Sequence, residues 1–316
     1  MLRRITSLLV ILALVLLPAA LAEAAPVRVG ALKGPTGMGM VQLMADPSDA
    51  YAFTLSGAPD ELVPLLVKGE LDIAAVPANL GAVLYNNTEG AVRALAVNTL
   101  GVLYILERGD TVHSVADLKG RTLVTSGKGA TPEYALNYIL KGNGLDPEKD
   151  LTIEFKSEHA ECVAAMLQDE SVVAMLPQPF ATVAQTKAED MRVALDLNAE
   201  WDALQADAES PSGLITGIVV ARAAFIEENP DAVAAFMADY ADSVRFVNAN
   251  VEEAAKLIGE FGILDAGPAQ KALPYCNIVF IDGDEMKAKL GGYLAALLEQ
   301  DPASIGGALP GEDFYY

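Results

Sequence analysis

Leu66-Val67-Lys68-Gly69-Glu70-Leu71-Asp72-Ile73-Ala74-Ala75-Val76-Pro77-Ala78-Asn79 is the stretch on which the reading of the fold turns. Leu66 completes an apolar helical face with Leu62 and Leu65, and Pro59-Asp60-Glu61 opens that helix with acidic residues suited to its positive dipole end. Lys68-Gly69-Glu70 ends it. Leu71 to Val76 then reads as a buried strand, with Pro77-Ala78-Asn79 as its exit loop. Upstream, Tyr51 to Leu55 is a second strand. Val27 to Leu32 alternates like another and runs into Lys33-Gly34-Pro35-Thr36-Gly37-Met38-Gly39, a loop that no helix or strand could absorb; a helix starts at Val41. Downstream come a helix over 80–85 and a strand over 91–97. Strand and helix in alternation predict a largely parallel sheet covered on both faces.

The pattern repeats further along. Ser114 to Gly120 is a helical turn, Arg121 to Thr125 a strand, and Ser126-Gly127-Lys128-Gly129-Ala130 a loop. Thr131-Pro132-Glu133 opens a helix, with Thr131 as its N-cap and proline at the first helical position. Strands follow over 151–155 and 172–176, separated by a helix over 161–167, and the second strand exits through Pro177-Gln178-Pro179. Gly213 to Val220 reads as a strand returning to the first unit. Helices over 229–247, 250–261 and 286–298 precede the aromatic tail Phe314-Tyr315-Tyr316. No low-complexity linker separates the units. The expectation is an α/β chain of two doubly wound lobes. Residues 26–100 and 212–316 build the first and 101–211 the second, with crossings near Asn98–Leu103 and Ile215–Val219.

Length and composition set the outer limits. The chain has 316 residues, 52% of them hydrophobic and 20% charged, which suits two globular units. Arg3 and Arg4, the apolar run Leu8 to Leu17, and Ala20-Leu21-Ala22 have the three parts of a secretory signal, assigned to residues 1–25. The run is shorter than the ~20 apolar residues of a spanning helix. No cysteine stands near the cut, so a soluble periplasmic protein is expected. The formal charge of −22 repels phosphate backbones and argues against nucleic acid as a partner. Cys162 and Cys276 are far apart and read as buried small hydrophobes.

The candidate site lies at strand exits, where open α/β sheets hold their ligands. Gly34, Pro35, Thr36 and Gly37 can offer backbone N–H groups and a hydroxyl, or form a turn that merely needs glycine. Gly34, Gly37 and Gly39 lack the G-x-G-x-x-G spacing, and Gly127-Lys128-Gly129 is no P-loop. Ser126, Gly127, Gly129, Ala130 and Thr131 sit at a helix N-terminus, which favours a negative ligand group. Pro77 with Asn79, and Gln178, are matched exits of the two lobes; their carboxamides both donate and accept. Thr216 joins them from the returning strand. His159, between Glu158 and Glu161, reads foremost as a surface helix start, and Trp201 as part of a solvated helix. No nucleophile–base constellation or metal cluster is visible, so no catalytic residue, metal or cofactor is assigned.

Four stretches then form an ordered set. They are Leu66-x-x-Gly69-Glu70-Leu71-Asp72-Ile73-Ala74 with Pro77; Asp117-Leu118-Lys119-Gly120-Arg121; His159-x-Glu161 with Pro177-Gln178-Pro179; and Phe225-x-Glu227-x-Asn229-Pro230-Asp231 with Asn250-x-Glu252-Glu253-Ala254-Ala255. Their order resembles type II periplasmic binding proteins of the nitrate, sulfonate, taurine and thiamine-precursor group, over nearly the whole mature chain. The resemblance implies a cleft that closes on one small molecule, delivery to the membrane subunits of an ABC importer, and action as a monomer without enzymatic turnover. The alternative is an enzyme on the same fold, akin to fungal pyrimidine synthases or menaquinone-pathway enzymes.

Overall fold

The structure, a computed structural model, describes residues 25–206 and 212–316; the expected signal segment up to Ala24 lies outside them. The chain begins with β1 (Val27–Leu32), short helices α1 (Pro35–Met38) and α2 (Val41–Met44), β2 (Tyr51–Ser56), α3 (Pro59–Val67), β3 (Ile73–Pro77), α4 (Ala78–Asn87) and β4 (Val92–Leu100). It then crosses to β5 (Leu103–Arg108), β6 (Thr122–Thr125), α5 (Thr131–Gly142), β7 (Thr152–Phe155), α6 (His159–Gln168), β8 (Val173–Pro177), α7 (Phe180–Gln185), β9 (Met191–Asp196) and α8 (Leu197–Gln205). It returns through β10 (Ile215–Arg222), α9 (Ala223–Glu228), α10 (Pro230–Ala249), α11 (Val251–Glu260), α12 (Ala266–Ala272), β11 (Ile278–Ile281) and α13 (Gly283–Gln300). Two sheets result, in the orders β11-β4-β10-β3-β1-β2 and β7-β6-β8-β5-β9.

The sheets are mixed, where alternation alone predicted largely parallel ones. β1 pairs in parallel with β2 and β3, and β6 with β7 and β8. β10 runs antiparallel to both β3 and β4, and β5 antiparallel to both β8 and β9. The cause is the route of the chain. A strand that arrives from the other lobe enters its sheet at the end where the parallel strands finish: Gly217 lies opposite Pro77, and Leu103 opposite Pro177. The crossings therefore bring strand termini of both sheets to one level.

Each lobe is fastened by one buried carboxylate. Asp72 accepts from Arg28 N at 3.0 Å, Arg28 Nε at 2.8 Å and Arg222 Nη2 at 2.7 Å, tying β1, β3 and β10 together. Glu107 accepts from Thr111 N and Oγ1, Val112 N and Arg192 Nη2, at 2.9, 2.7, 3.0 and 2.5 Å. Burial pushes the Asp72 carboxyl up, but the two arginines outweigh it and hold it below the usual range. Burial opposes Glu107 likewise; its bonds to Thr111 and Val112, with Arg192 nearby, bring the carboxyl down.

One apolar core continues through both lobes. Leu197, Trp201 and Gln205 form a buried stripe at i, i+4 and i+8 of α8, while Asp202 and Ala203 face solvent. The expectation of a solvated helix around Trp201 is therefore corrected: its indole is fully buried, 4.3 Å from the Tyr138 ring of α5 and 5.3 Å from Tyr293 of α13. The acidic residues beside it misled, because they occupy the opposite face. Cys162 and Cys276 are both buried free thiols.

Candidate ligand-binding cleft

The first sheet brings the β1–α1 loop, the exit of β3, the end of β4 and the start of β10 to the crossing. Pro35 opens α1, and Gly34 caps it through its carbonyl, which accepts from Gly37 N and Met38 N at 3.1 and 2.9 Å. Gly37 is required by close approach: a Cβ there would stand 2.5 Å from Leu32 O. Thr36 is 8% exposed. Pro77 lies opposite Gly217. Thr216 Oγ1 donates to Leu100 O at 2.6 Å, so its hydroxyl closes the crossing itself. Asn98 and Thr99, at the end of β4, are buried as well.

The second sheet supplies the opposite wall. Ser126 Oγ and His159 Nδ1 lie 2.5 Å apart, and the imidazole packs 4.7 Å from the Phe180 ring. Burial pulls the His159 pKa down to about 4, so the ring is neutral at neutral pH. Its acidic neighbours do not form a cluster with it: Glu158 and Glu161 make a capping box at the start of α6. Gln178 N donates to Val102 O at 2.9 Å, and its Oε1 accepts from Thr182 Oγ1 at 2.9 Å. That leaves the Gln178 amide nitrogen without a protein acceptor among the described residues.

Asn79 and Thr131 meet each other. Thr131 N and Oγ1 both donate to Asn79 Oδ1 at 3.1 Å, and Asn79 Nδ2 donates to Ser304 O at 3.1 Å. Both residues are 1% exposed, so this knot joins the lobes directly. Thr131 is the first residue of α5, with Ala130 at the cap position. Its hydroxyl turns across the lobe boundary instead of capping its own helix, which corrects the capping role expected for it. Gly127, Gly129 and Ala130 form the loop before α5.

Sequence reasoning passed over Asn98, Thr99 and the placement of His159. The signal for the first two was a polar pair ending an otherwise apolar strand. Among the described residues no lysine or arginine is buried, no group of acidic, histidine and cysteine side chains could hold a metal ion, and no helix is long and apolar enough to cross a membrane. The buried polar side chains that the two sheets bring to the crossing are uncharged, among them Thr36, Asn79, Asn98 and Thr99 from the first lobe and Ser126, Thr131 and Gln178 from the second.

Known proteins share this fold. An ABC transporter protein from Parabacteroides distasonis superposes with a TM-score of 0.77 at 24% identity, covering 93% of this chain and 99% of that one. The periplasmic aliphatic sulphonate binding protein SsuA from Escherichia coli gives 0.73 at 17% identity, covering 93% and 92%. The periplasmic nitrate-binding protein NrtA from Synechocystis gives 0.65 at 13%, covering 90% and 84%. At these identities the likeness speaks for the fold. No curated protein matches the chain. The profile of the phosphonate periplasmic substrate-binding proteins of ABC transporters matches residues 52–273. The chain belongs to that family of periplasmic substrate-binding proteins, whose members serve ABC importers.

Proposed function

We propose that this protein is exported, binds one small polar molecule between its lobes as a monomer, and hands it unchanged to an ABC importer. What supports the reading is that strand exits of both sheets carry buried or half-buried uncharged polar side chains, Thr36 in the first lobe and Ser126, His159 and Gln178 in the second. Closure of such a cleft is favoured by contacts that only the closed form makes. The loops Gly34–Gly37 and Ser126–Ala130 supply backbone N–H groups beside those side chains.

Ser126 and His159 raise a second reading, because a hydroxyl beside an imidazole is half of a nucleophile–base pair. An imidazole held near pKa 4 is a poor base at neutral pH. No carboxylate orients its other nitrogen among the described residues. Binding without turnover is therefore favoured. Native mass spectrometry of protein recovered from its exporting cell is expected to show a chain starting near Glu23 or Pro26, carrying one adduct whose mass stays constant on prolonged incubation. A retained Met1 would overturn export, and an adduct that changes mass in proportion to protein would overturn the absence of turnover.

Side-chain truncation tests the cleft. Removing a polar partner from a closed site costs roughly 1–3 kcal/mol, or about one to two decades in affinity. Thr36→Ala and Gln178→Ala should each weaken binding of the recovered ligand by that factor in calorimetry, with little change in the Tm of ligand-free Thr36→Ala. Gln178→Ala and Asn79→Ala should lower Tm as well, because Gln178 holds Thr182, and Asn79 holds Ser304 and Thr131, in the ligand-free fold. Parent-like binding by both Thr36→Ala and Gln178→Ala would place the site elsewhere.

A further inference from the structure

Asn98 and Tyr240 are both fully buried, and neither the Asn98 amide nitrogen nor the Tyr240 hydroxyl has a hydrogen-bond partner. We propose that this pair is a ligand anchor in the floor of the first lobe's wall. The Asn98 amide, backed by the Tyr240 hydroxyl, donates to an acceptor atom of the bound molecule, such as a carbonyl, carboxylate or oxyanion oxygen. The proposal rests on the binding reading above and deepens it.

Geometry supports it in three ways. Asn98 stands two residues before the end of β4, at the level where the chain crosses between lobes. Its Oδ1 accepts from Thr99 Oγ1 at 3.2 Å, and its amide nitrogen is left unpaired. The neighbouring strand makes room for it: a Cβ at Gly217 would stand 2.5 Å from Asn98 Oδ1 and 2.8 Å from the Thr36 methyl. The amide is thus next to Thr36, the residue already placed on this wall.

The chemistry favours an acceptor. Asn98 brings two N–H protons and Tyr240 one O–H, against the phenol oxygen and the second lone pair of Asn98 Oδ1 as acceptors. The two side chains lie close enough for Asn98 to act on the phenol, yet no hydrogen bond of good geometry closes. If it did close, the phenol proton would still need an acceptor. An excess of uncharged donors suits an acceptor-bearing head group better than an ammonium.

Buried donors without partners weaken a fold. A pair kept for a ligand should therefore be dispensable to the ligand-free protein and indispensable to binding. Asn98→Leu, Asn98→Asp and Tyr240→Phe separate the two. In ligand-free protein, refolded from denaturant after dialysis, Asn98→Leu and Tyr240→Phe should melt at or above the parent temperature. Recovered from the exporting cell and examined by native mass spectrometry, the parent should carry its adduct, whereas Asn98→Leu and Asn98→Asp should carry less than a tenth of the parent's occupancy. Tyr240→Phe should reduce it severalfold. A full adduct on Asn98→Leu, or a Tm loss in both apolar variants, would overturn the anchor while leaving the binding reading intact. A parent without adduct would overturn the binding reading and the anchor with it.

Discussion

Replacing Asp72 with alanine is expected to lower the stability of the protein by about 3 kcal/mol, near the low end for breaking a buried ion pair. The carboxylate is 5% exposed and accepts from two arginines and a backbone N–H. Arg28 is 43% exposed and Arg222 24%, so both cations recover part of their hydration once the acid is gone. The backbone N–H of Arg28 and the pairing of β1 with β3 do not recover it. The same group predicts a pH dependence. Its folded pKa lies below the ordinary carboxylate value, so its contribution is complete above the unfolded pKa of about 4 and is lost as pH falls through the folded value. Urea unfolding at a series of pH values should show stability declining below about pH 4 in the parent, with a shallower decline in Asp72→Asn. Equal slopes would mean that Asp72 titrates alike in both states.

Much of the architecture was legible because local patterns and tertiary burial agreed. Strands β3 and β8 are apolar runs that each follow a polar turn and end on a proline, Pro77 or Pro177, and each is buried in the middle of its sheet. Strands β5 and β9 were not legible. Leu103–Arg108 ends in Glu107 and Arg108, and Met191–Asp196 carries Arg192; Glu107 pairs with Arg192, a contact spanning 85 residues, and Arg108 with Asp190, one spanning 82. A short strand whose polar residues serve a distant partner carries no local signature. The antiparallel direction of β10 likewise follows from where the chain crosses, which hydrophobic alternation does not encode.

Within the cleft the same divide holds. Strand-exit loops can be found from Gly, Pro and amide residues, and Thr36, Ser126 and Gln178 do stand at the ends of β1, β6 and β8. What those residues bond to depends on the meeting of two lobes. Asn79 and Thr131 are 52 residues apart, and their pairing turns two apparent ligand contacts into a fastening between walls. His159 was obscured by its own capping box, since Glu158 and Glu161 give it the look of a solvated helix start. Asn98 was obscured by its strand, in which it follows six residues, all apolar but Arg93.

Trp201→Ala is expected to cost more than any other single change in the second lobe's packing against the first. Truncating a fully buried Trp to Ala costs about 3–5 kcal/mol through lost transfer energy and an unfilled cavity. Here the site has little freedom to collapse, because Trp201 lies between the Tyr138 ring of one lobe and the Tyr293 ring of the other. Its indole N–H also donates to Ser212 O at 2.9 Å, holding the segment by which the chain returns to β10. The alanine variant leaves that carbonyl unpaired and removes the ring joining α5, α8 and α13, so the lobes should separate more readily as well as unfold earlier. Trp201→Phe keeps an aromatic ring between the tyrosines but loses the N–H, and its expected cost is smaller, about 1–2 kcal/mol. Trp201 is the only tryptophan, so in the parent its fluorescence reports this interface directly. For the variants, urea unfolding followed by circular dichroism gives the two stabilities, and small-angle scattering gives the lobe separation. A Trp201→Ala protein as stable and as closed as the parent would show that the aromatic cluster is filler, and that the Asn79–Thr131 bond with the strand crossings holds the lobes together.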